Sequence, residues 1–258
     1  MSDDIVKMFH IPISRMTQAE AIDRIIGWAR EHKRPPKRVA TMNVDFMTNA
    51  VRLWPFRGDP ELWDYLQKAD LVTADGMPLV WLSKLLRKPL PGRVTGSDMV
   101  PKICARCANE HLSIYVLGSL DVVLNEAFAN LRKNAPAIRV AGLNSAMVDL
   151  AADQTPLIDH INAAKPDILF LAMSHPKQEL WISRHAHLLN TGVVMGVGAS
   201  FNFLAGYVPR APLWIQNAGL EWAYRIYQEP RRLWRRYAKG FVKLAWIAFA
   251  TLLGWGHR

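Results

Sequence analysis

The chain is poor in cysteine, with two residues in 258, Cys104 and Cys107. So few exclude a disulfide-stapled scaffold. Without a second pair, the C-A-R-C sequence cannot complete a four-ligand structural zinc site. Val100, Cys104 and Cys107 recur at helical spacing, which assigns them to the buried face of a helix rather than to a redox pair. A long apolar run is also missing. The most apolar stretch, FVKLAWIAFATLLGW at 241–255, has 15 residues and contains Lys243, short of the roughly 20 that span a bilayer. It is expected to lie on a membrane surface, a short anchor being the competing reading. The start, MSDDIVKMFH, is acidic and carries no apolar segment of signal-peptide length, so a cytoplasmic protein is expected. Asp-x-Asp is absent, and with it a common way of holding a divalent metal on a diphosphate. His175, His185 and His187 lack the H-E-x-x-H spacing and read as surface or packing residues. No metal and no other cofactor is expected. Repeats and low-complexity linkers are absent as well.

Half the residues are apolar and 21% are charged, the composition of a folded globular protein with a substantial core. The net charge of +10 is unevenly spread. From Arg225 to Arg258 there are eight lysines and arginines and one acid, Glu229. A basic tail calls for an anionic partner. Trp222, Trp234, Trp246 and Trp255 lie in or near it, and indole beside arginine suits a membrane interface better than a nucleic acid.

Residues 4–14 read as a strand and turn. Thr17, with Glu20 three residues on, predicts a capped helix. Short apolar strands at 38–43 and 69–74 each run into a turn and a helix. From about residue 112 the order is strand, helix, strand, helix, strand, helix, strand. That alternation predicts an α/β fold with a parallel sheet covered by helices on both faces. The body is expected to occupy 1–200 and a basic helical appendage 201–258.

Ligands of open α/β sheets bind beyond the carboxyl ends of the strands. Those positions carry Thr41 and Asn43, Asp75, Gly118 and Ser119, the segment Ser174–Glu179, and Gly196–Asn202. The cluster points to a phosphate-bearing ligand, although Gly196 and Gly198 alone fit a tight turn equally well. Asp75, in TADG, is the best candidate for a general base, with an Asx-turn as the alternative. Arg93 fits a diphosphate contact or a solvated loop arginine, and Asp98 a helix cap. Thr41 and Asn43 suit sugar hydroxyls or unsatisfied backbone groups. Gln178 suits a sugar or a base, and Glu179 a ribose hydroxyl or the first turn of a helix. Arg225, Arg232 and Arg235, seven and three apart, would share one face of a helix unless Pro230 interrupts it. Planar guanidinium groups suit a diphosphate or anionic lipid.

TMNVDF, ADLVTADGMPLVW, RVTGSD, LGS, HPKQE, GVGASFNFLAG, RAP and GLEWAYR with EPRRLWRRY together resemble the WecG/TagA/CpsF glycosyltransferases, in the family's order, from about Val39 to Tyr237. The resemblance implies a Rossmann-like, two-lobed body with a C-terminal appendage that meets the cytoplasmic face of the inner membrane. It implies an inverting, metal-independent transfer from a UDP-sugar donor to a polyprenyl-diphosphate-linked sugar acceptor, in the synthesis of a surface polysaccharide. By the same match Asp75 looks like the general base, and Thr41, Asn43, Arg93 and Gln178 look like pocket residues. Arg225, Arg232 and Arg235 look like the arginines that hold the acceptor's diphosphate. Asn202 stands where the family often has aspartate, and the apolar tail after Tyr237 is long.

A non-catalytic, membrane-associated nucleotide-binding protein is the competing class; it shares the sheet and tail but has no need of Asp75. A nucleic-acid partner is disfavoured by the tryptophans and apolar tail. A dinucleotide enzyme is disfavoured because Gly196 and Gly198 come late, with no strand after them ending in an acid. The sugar, the polymer and a homo-oligomeric state are left open.

Overall fold

The computed structural model describes residues 4–252, with the side chains of all of these except Asn217, Arg232, Arg236, Thr251 and Leu252. In chain order it contains β1 (Ile5–Met8), β2 (Ile11–Ser14), α1 (Gln18–Glu31), β3 (Lys37–Met42), α2 (Val44–Ala50), α3 (Pro60–Lys68), β4 (Leu71–Ala74), α4 (Met77–Leu85), α5 (Gly96–Asn109), β5 (Ser113–Gly118) and α6 (Asp121–Asn134). It continues through β6 (Arg139–Asn144), α7 (Thr155–Ala164), β7 (Ile168–Ala172), α8 (Lys177–His185), β8 (Val193–Gly196), α9 (Ser200–Leu204), α10 (Leu213–Asn217), α11 (Glu221–Gln228) and α12 (Pro230–Leu252).

Strands β3 to β8 form one parallel sheet in the order β4-β3-β8-β7-β5-β6. Successive side chains of a strand point to opposite faces, and here both faces are buried. Val39, Leu71, Ile114, Val116, Phe170 and Met195 join one apolar cluster. Ala40, Met42, Val72, Leu117, Leu169, Leu171 and Val194 join the other. This is why the strands are apolar without alternation. The parallel α/β architecture is the one expected, and a single sheet serves both halves of the body.

Local signals explain several helices. Thr17 accepts from the Glu20 amide at 3.3 Å, while Glu20 accepts from the Thr17 amide at 2.7 Å, completing the capping box of α1. Cys104 and Cys107 are buried and unbonded on α5, as their helical spacing predicts. Thr95, not Asp98, caps α5 by accepting from the Asp98 amide at 3.1 Å, which leaves the Asp98 carboxylate free for other work. Residues 4–14 form a two-stranded antiparallel hairpin apart from the main sheet. Its turn, Phe9–His10, has positive φ at both residues, a conformation usually signalled by Asn-Gly.

Two findings refine the C-terminal third. Phe201 of α9 is buried against Phe128 and Phe170 at ring distances of 5.8 and 6.0 Å, so the compact body continues past residue 200 through α9. Pro230, which lacks an N–H and is tolerated in a first helical turn, starts α12 after α11 has ended. Helix α12 packs on α2. Leu233, Gly240, Ile247 and Ala250 are buried on its docked side, and the Trp246 indole donates to the Trp54 carbonyl at 2.7 Å. Trp234, Val242 and Phe249 are more than half exposed on other sides. Over its described part the apolar run is therefore a helix with two apolar faces, one docked and one uncovered. Among the described residues no helix is long and apolar enough to cross a membrane.

Candidate active site

The carboxyl ends of β3 and β8 meet although Thr41 and Gly196 are 155 residues apart. The Thr41 hydroxyl donates to the Gly196 carbonyl at 3.0 Å and is buried. Asp75 lies one strand away, after β4, with its amide donating to the Met42 carbonyl at 2.8 Å. The fold thus gathers Thr41, Asp75 and Gly196 at one rim of the sheet.

Asp75 is half-buried, and its carboxylate accepts from the Gly96 amide at the start of α5. Burial, then Glu221 and Asp98 beside it, push its pKa up from the ordinary 3.8 to about 7; the Gly96 amide and Arg93 pull the other way and lose. The acids come with their own counter-ions. Arg93 donates to Glu221 at 2.8 Å and to Gln216 at 3.4 Å, and stands 3.5 Å from Asp98. Arg210 reaches Asp98 at 2.5 Å and Glu221 at 3.3 Å. Two arginines thus pair with the two carboxylates that flank Asp75. A carboxyl held near neutrality at the rim of a site is suited to receive a proton.

Gln178 is buried behind the glycine turn. Its carbonyl accepts from the Gly198 amide at 3.0 Å, and its Nε2 donates to Glu179 at 2.8 Å. A Cβ on Gly196 would stand 2.7 Å from that Nε2, so glycine there is a packing requirement. Glu179, in the first turn of α8, is 4% exposed, and its second oxygen lies 3.1 Å from His175 Nδ1. The His175 side chain is 6% exposed and lies 5.0 Å from the Phe46 ring, in keeping with a packing histidine. Asn43 caps α2, its side-chain oxygen accepting from the Phe46 amide at 2.9 Å. At the β5 end, Gly118 has φ +96 and Ser119 φ +70. The Ser119 hydroxyl meets the Asn202 side-chain oxygen at 3.4 Å, which links β5 to α9.

Arg225, Arg232 and Arg235 do not share one helix, because Pro230 divides them: Arg225 lies on α11 and the other two on α12. The Arg225 guanidinium stacks 5.2 Å over Phe203, and its Nε is buried with no partner among the described residues. Arg235 is exposed over Trp234, and the side chain of Arg232 lies outside the described residues. The described residues contain no group of three His, Cys, Asp or Glu arranged to hold a metal ion.

Sequence reasoning named Arg93 and Asp75 but missed Arg210 and Glu221, and gave Asp98 the wrong task. A signal existed. Between Ser200 and Tyr224, Arg210 and Glu221 are the only charged residues, of opposite sign in an otherwise apolar stretch. Such isolated charges are retained against a desolvation cost and are expected to find partners.

Residues 6–257 match the glycosyl transferase WecG/TagA/CpsF family. A protein of Bacillus spizizenii is 33% identical over 69% of this chain and 68% of its own length. One of Bacillus subtilis is 29% identical over 77% and 73%, and one of Staphylococcus aureus 32% over 67% and 66%. All three are named N-acetylglucosaminyldiphosphoundecaprenol N-acetyl-beta-D-mannosaminyltransferase.

Proposed function

Since the chain belongs to the WecG/TagA/CpsF family of glycosyltransferases, we propose that it moves a hexose from a UDP-sugar to a polyprenyl-diphosphate-linked sugar, with inversion. The named relatives make N-acetylglucosaminyl-diphosphoundecaprenol the first acceptor to try and UDP-N-acetylmannosamine the first donor. Asp75 carries the reading: it is a carboxyl group raised to about 7 at the rim of the sheet, beside acids that are themselves paired with arginines. Its carboxylate takes the proton of an acceptor hydroxyl as that oxygen attacks the anomeric carbon. The bond from that carbon to the β-phosphate oxygen breaks, and UDP leaves with the electron pair on the opposite face.

Thr41, Gln178 and the glycine turn line the donor side, with Ser119 and Asn202 at its far end. Arg225 offers an unpartnered nitrogen to the acceptor's diphosphate, and Arg235 and Arg232 lie further along α12. These arginines and backbone amides, rather than a metal, offset the phosphate charge. The uncovered face of α12, with Trp234, Val242 and Phe249, rests on the cytoplasmic leaflet of the inner membrane, where the lipid-linked acceptor is anchored.

UDP release is the test, measured from a panel of UDP-sugars with and without the lipid-linked acceptor in detergent. Acceptor-dependent release with one donor is expected, falling about 10²–10⁴-fold in Asp75→Asn. Wild-type turnover in Asp75→Asn would remove Asp75 as the base.

A further inference from the structure

Helix α4 follows Asp75 almost directly, and its outer face is apolar where water-facing helices are polar. Leu79, Val80, Leu82 and Ser83 are buried on the inner side. Trp81, Lys84 and Leu85, three and four residues apart, share the outer side. Trp81 and Leu85 are 43% and 61% exposed there. The turn between α10 and α11 lies against this helix, since a Cβ on Gly219 would stand 2.6 Å from Met77 and 2.9 Å from Trp81. Leu220 beside it, and Leu213 and Trp214 on α10, are exposed as well. Apolar side chains gathered at a surface in this way mark an interaction site.

The charges beside it say what covers it. Between Asp75 and Asp98 the chain carries Lys84, Arg87, Lys88 and Arg93 and no acid. Past the end of α4 a cleft of about 530 Å³ opens between this segment and the β1–β2 hairpin. Lys7, Arg15, Arg87 and Lys88 line it, and its other lining residues are apolar. Lys88 Nζ donates to the Lys7 carbonyl at 3.1 Å and ties the two sides together. Asp4, which faces Arg15 across the hairpin, gives its carboxylate to Arg24 at 3.8 Å. Among the described residues no carboxylate pairs with Lys7, Arg15, Lys84, Arg87 or Lys88. Indole settles at the headgroup level of a bilayer, and free lysine and arginine meet its anionic phosphates. A soluble polyanion would meet the same cations and leave Trp81 and Leu85 in water.

We propose that α4 and the β1–β2 hairpin form a second membrane contact, apart from α12, in which Trp81 and Leu85 enter the interfacial layer of an anionic bilayer and the basic cleft takes up lipid phosphate groups. One short helix face is too small to anchor a chain, so this contact works jointly with the uncovered face of α12. The two are linked through α11, whose Trp222 packs on Phe241 of α12 at a ring distance of 4.8 Å. Asp75 lies two residues before the start of α4. At 1.5 Å per residue the contact holds its carboxyl group within about 15 Å of the headgroups. Vesicle binding needs no turnover, so the contact stands or falls apart from the transfer reaction.

The test places a polarity-sensitive dye on the full chain at Leu85→Cys. Cys104 and Cys107 are buried, so the introduced thiol is the one that reacts. On vesicles of phosphatidylglycerol with phosphatidylcholine the emission should shift to the blue, and on phosphatidylcholine alone it should stay. The same dye at Glu126→Cys, exposed on α6, should stay on both. Arg15→Gln combined with Arg87→Gln removes one cation from each side of the cleft. It should weaken vesicle binding about 25-fold, at roughly fivefold per charge, and leave the melting temperature in place because both side chains are exposed. A labelled chain that floats with the vesicles while the dye at 85 stays unchanged would overturn the contact. So would an equal shift at 126, or wild-type binding by the double variant. A shift that grows with protein concentration without vesicles would give the face to a second copy of the chain. One produced by inorganic phosphate alone would give the cleft to a soluble phosphate compound, and either result overturns the membrane assignment.

Discussion

A carboxyl group raised to about 7 by burial, Glu221 and Asp98 costs the fold whenever it is charged. In the unfolded chain Asp75 ionises near 3.8, so its contribution to stability is intact below that pH and is lost as pH rises through about 7. Asp75→Asn should therefore raise the melting temperature at pH 8, by an amount corresponding to about 1–3 kcal/mol, and leave it unchanged near pH 4. Under the proposed mechanism activity has the opposite sign, because it is the ionised form that takes the proton: turnover should climb with pH and level off above about 7. Glu221 is the largest charge raising Asp75, so Glu221→Gln should move that midpoint down. Removing Arg93, which opposes the rise, as in Arg93→Met, should move it up. A pH–rate profile of the two variants checks both signs. Gly196→Ala drives a methyl against Gln178 and should destabilise by about 1–3 kcal/mol, read by denaturant titration.

At the scale of elements, α12 is the most informative. Its docked and uncovered sides make different predictions. Val242→Asp or Phe249→Asp should abolish binding to vesicles of anionic lipid while leaving the melting temperature in place, because both side chains are already in solvent. Ile247→Asp, which places a charge in the core cluster, should destabilise by several kcal/mol. A flotation assay paired with thermal unfolding separates the two sides. The sequence shows the run from 241 to 255 as apolar but not as two-sided, because hydropathy sums over faces that packing distinguishes. Capping is legible where its chemistry is strict, as at Thr17 and Glu20, and fails at Asp98, where Thr95, three residues earlier, does the capping. The β1–β2 turn was illegible for a related reason: Phe9 and His10 adopt a conformation that sequence normally marks with glycine or asparagine.

For the whole molecule, the parallel sheet and the rim that bears Thr41, Asp75 and Gly196 could be read from the alternation of apolar strands and helices, since those strands stay apolar only when covered on both faces. Strand order could not be read. Nothing local in VATM or VVMG says that they are neighbours, and two members of the charge cluster beside Asp75, Glu221 and Arg210, come from α11 and the loop before α10, over a hundred residues further on. A site assembled from distant segments leaves charges without visible partners, which is why Arg210 and Glu221 went unassigned.

The pairing of β3 with β8 also constrains how the chain is made. During synthesis β3 appears early and β8 some 155 residues later, so the central seam of the sheet stays open until most of the body has left the ribosome. Contacts so distant in sequence form slowly and leave strand edges exposed meanwhile. Chains released at residue 190 should present the bare edges of β3 and β7 and aggregate or be rapidly proteolysed, whereas chains released at 206, with β8 and α9 in place, should resist trypsin across the sheet. Helices α11 and α12 are synthesised later still, after the surface on which α12 docks has closed.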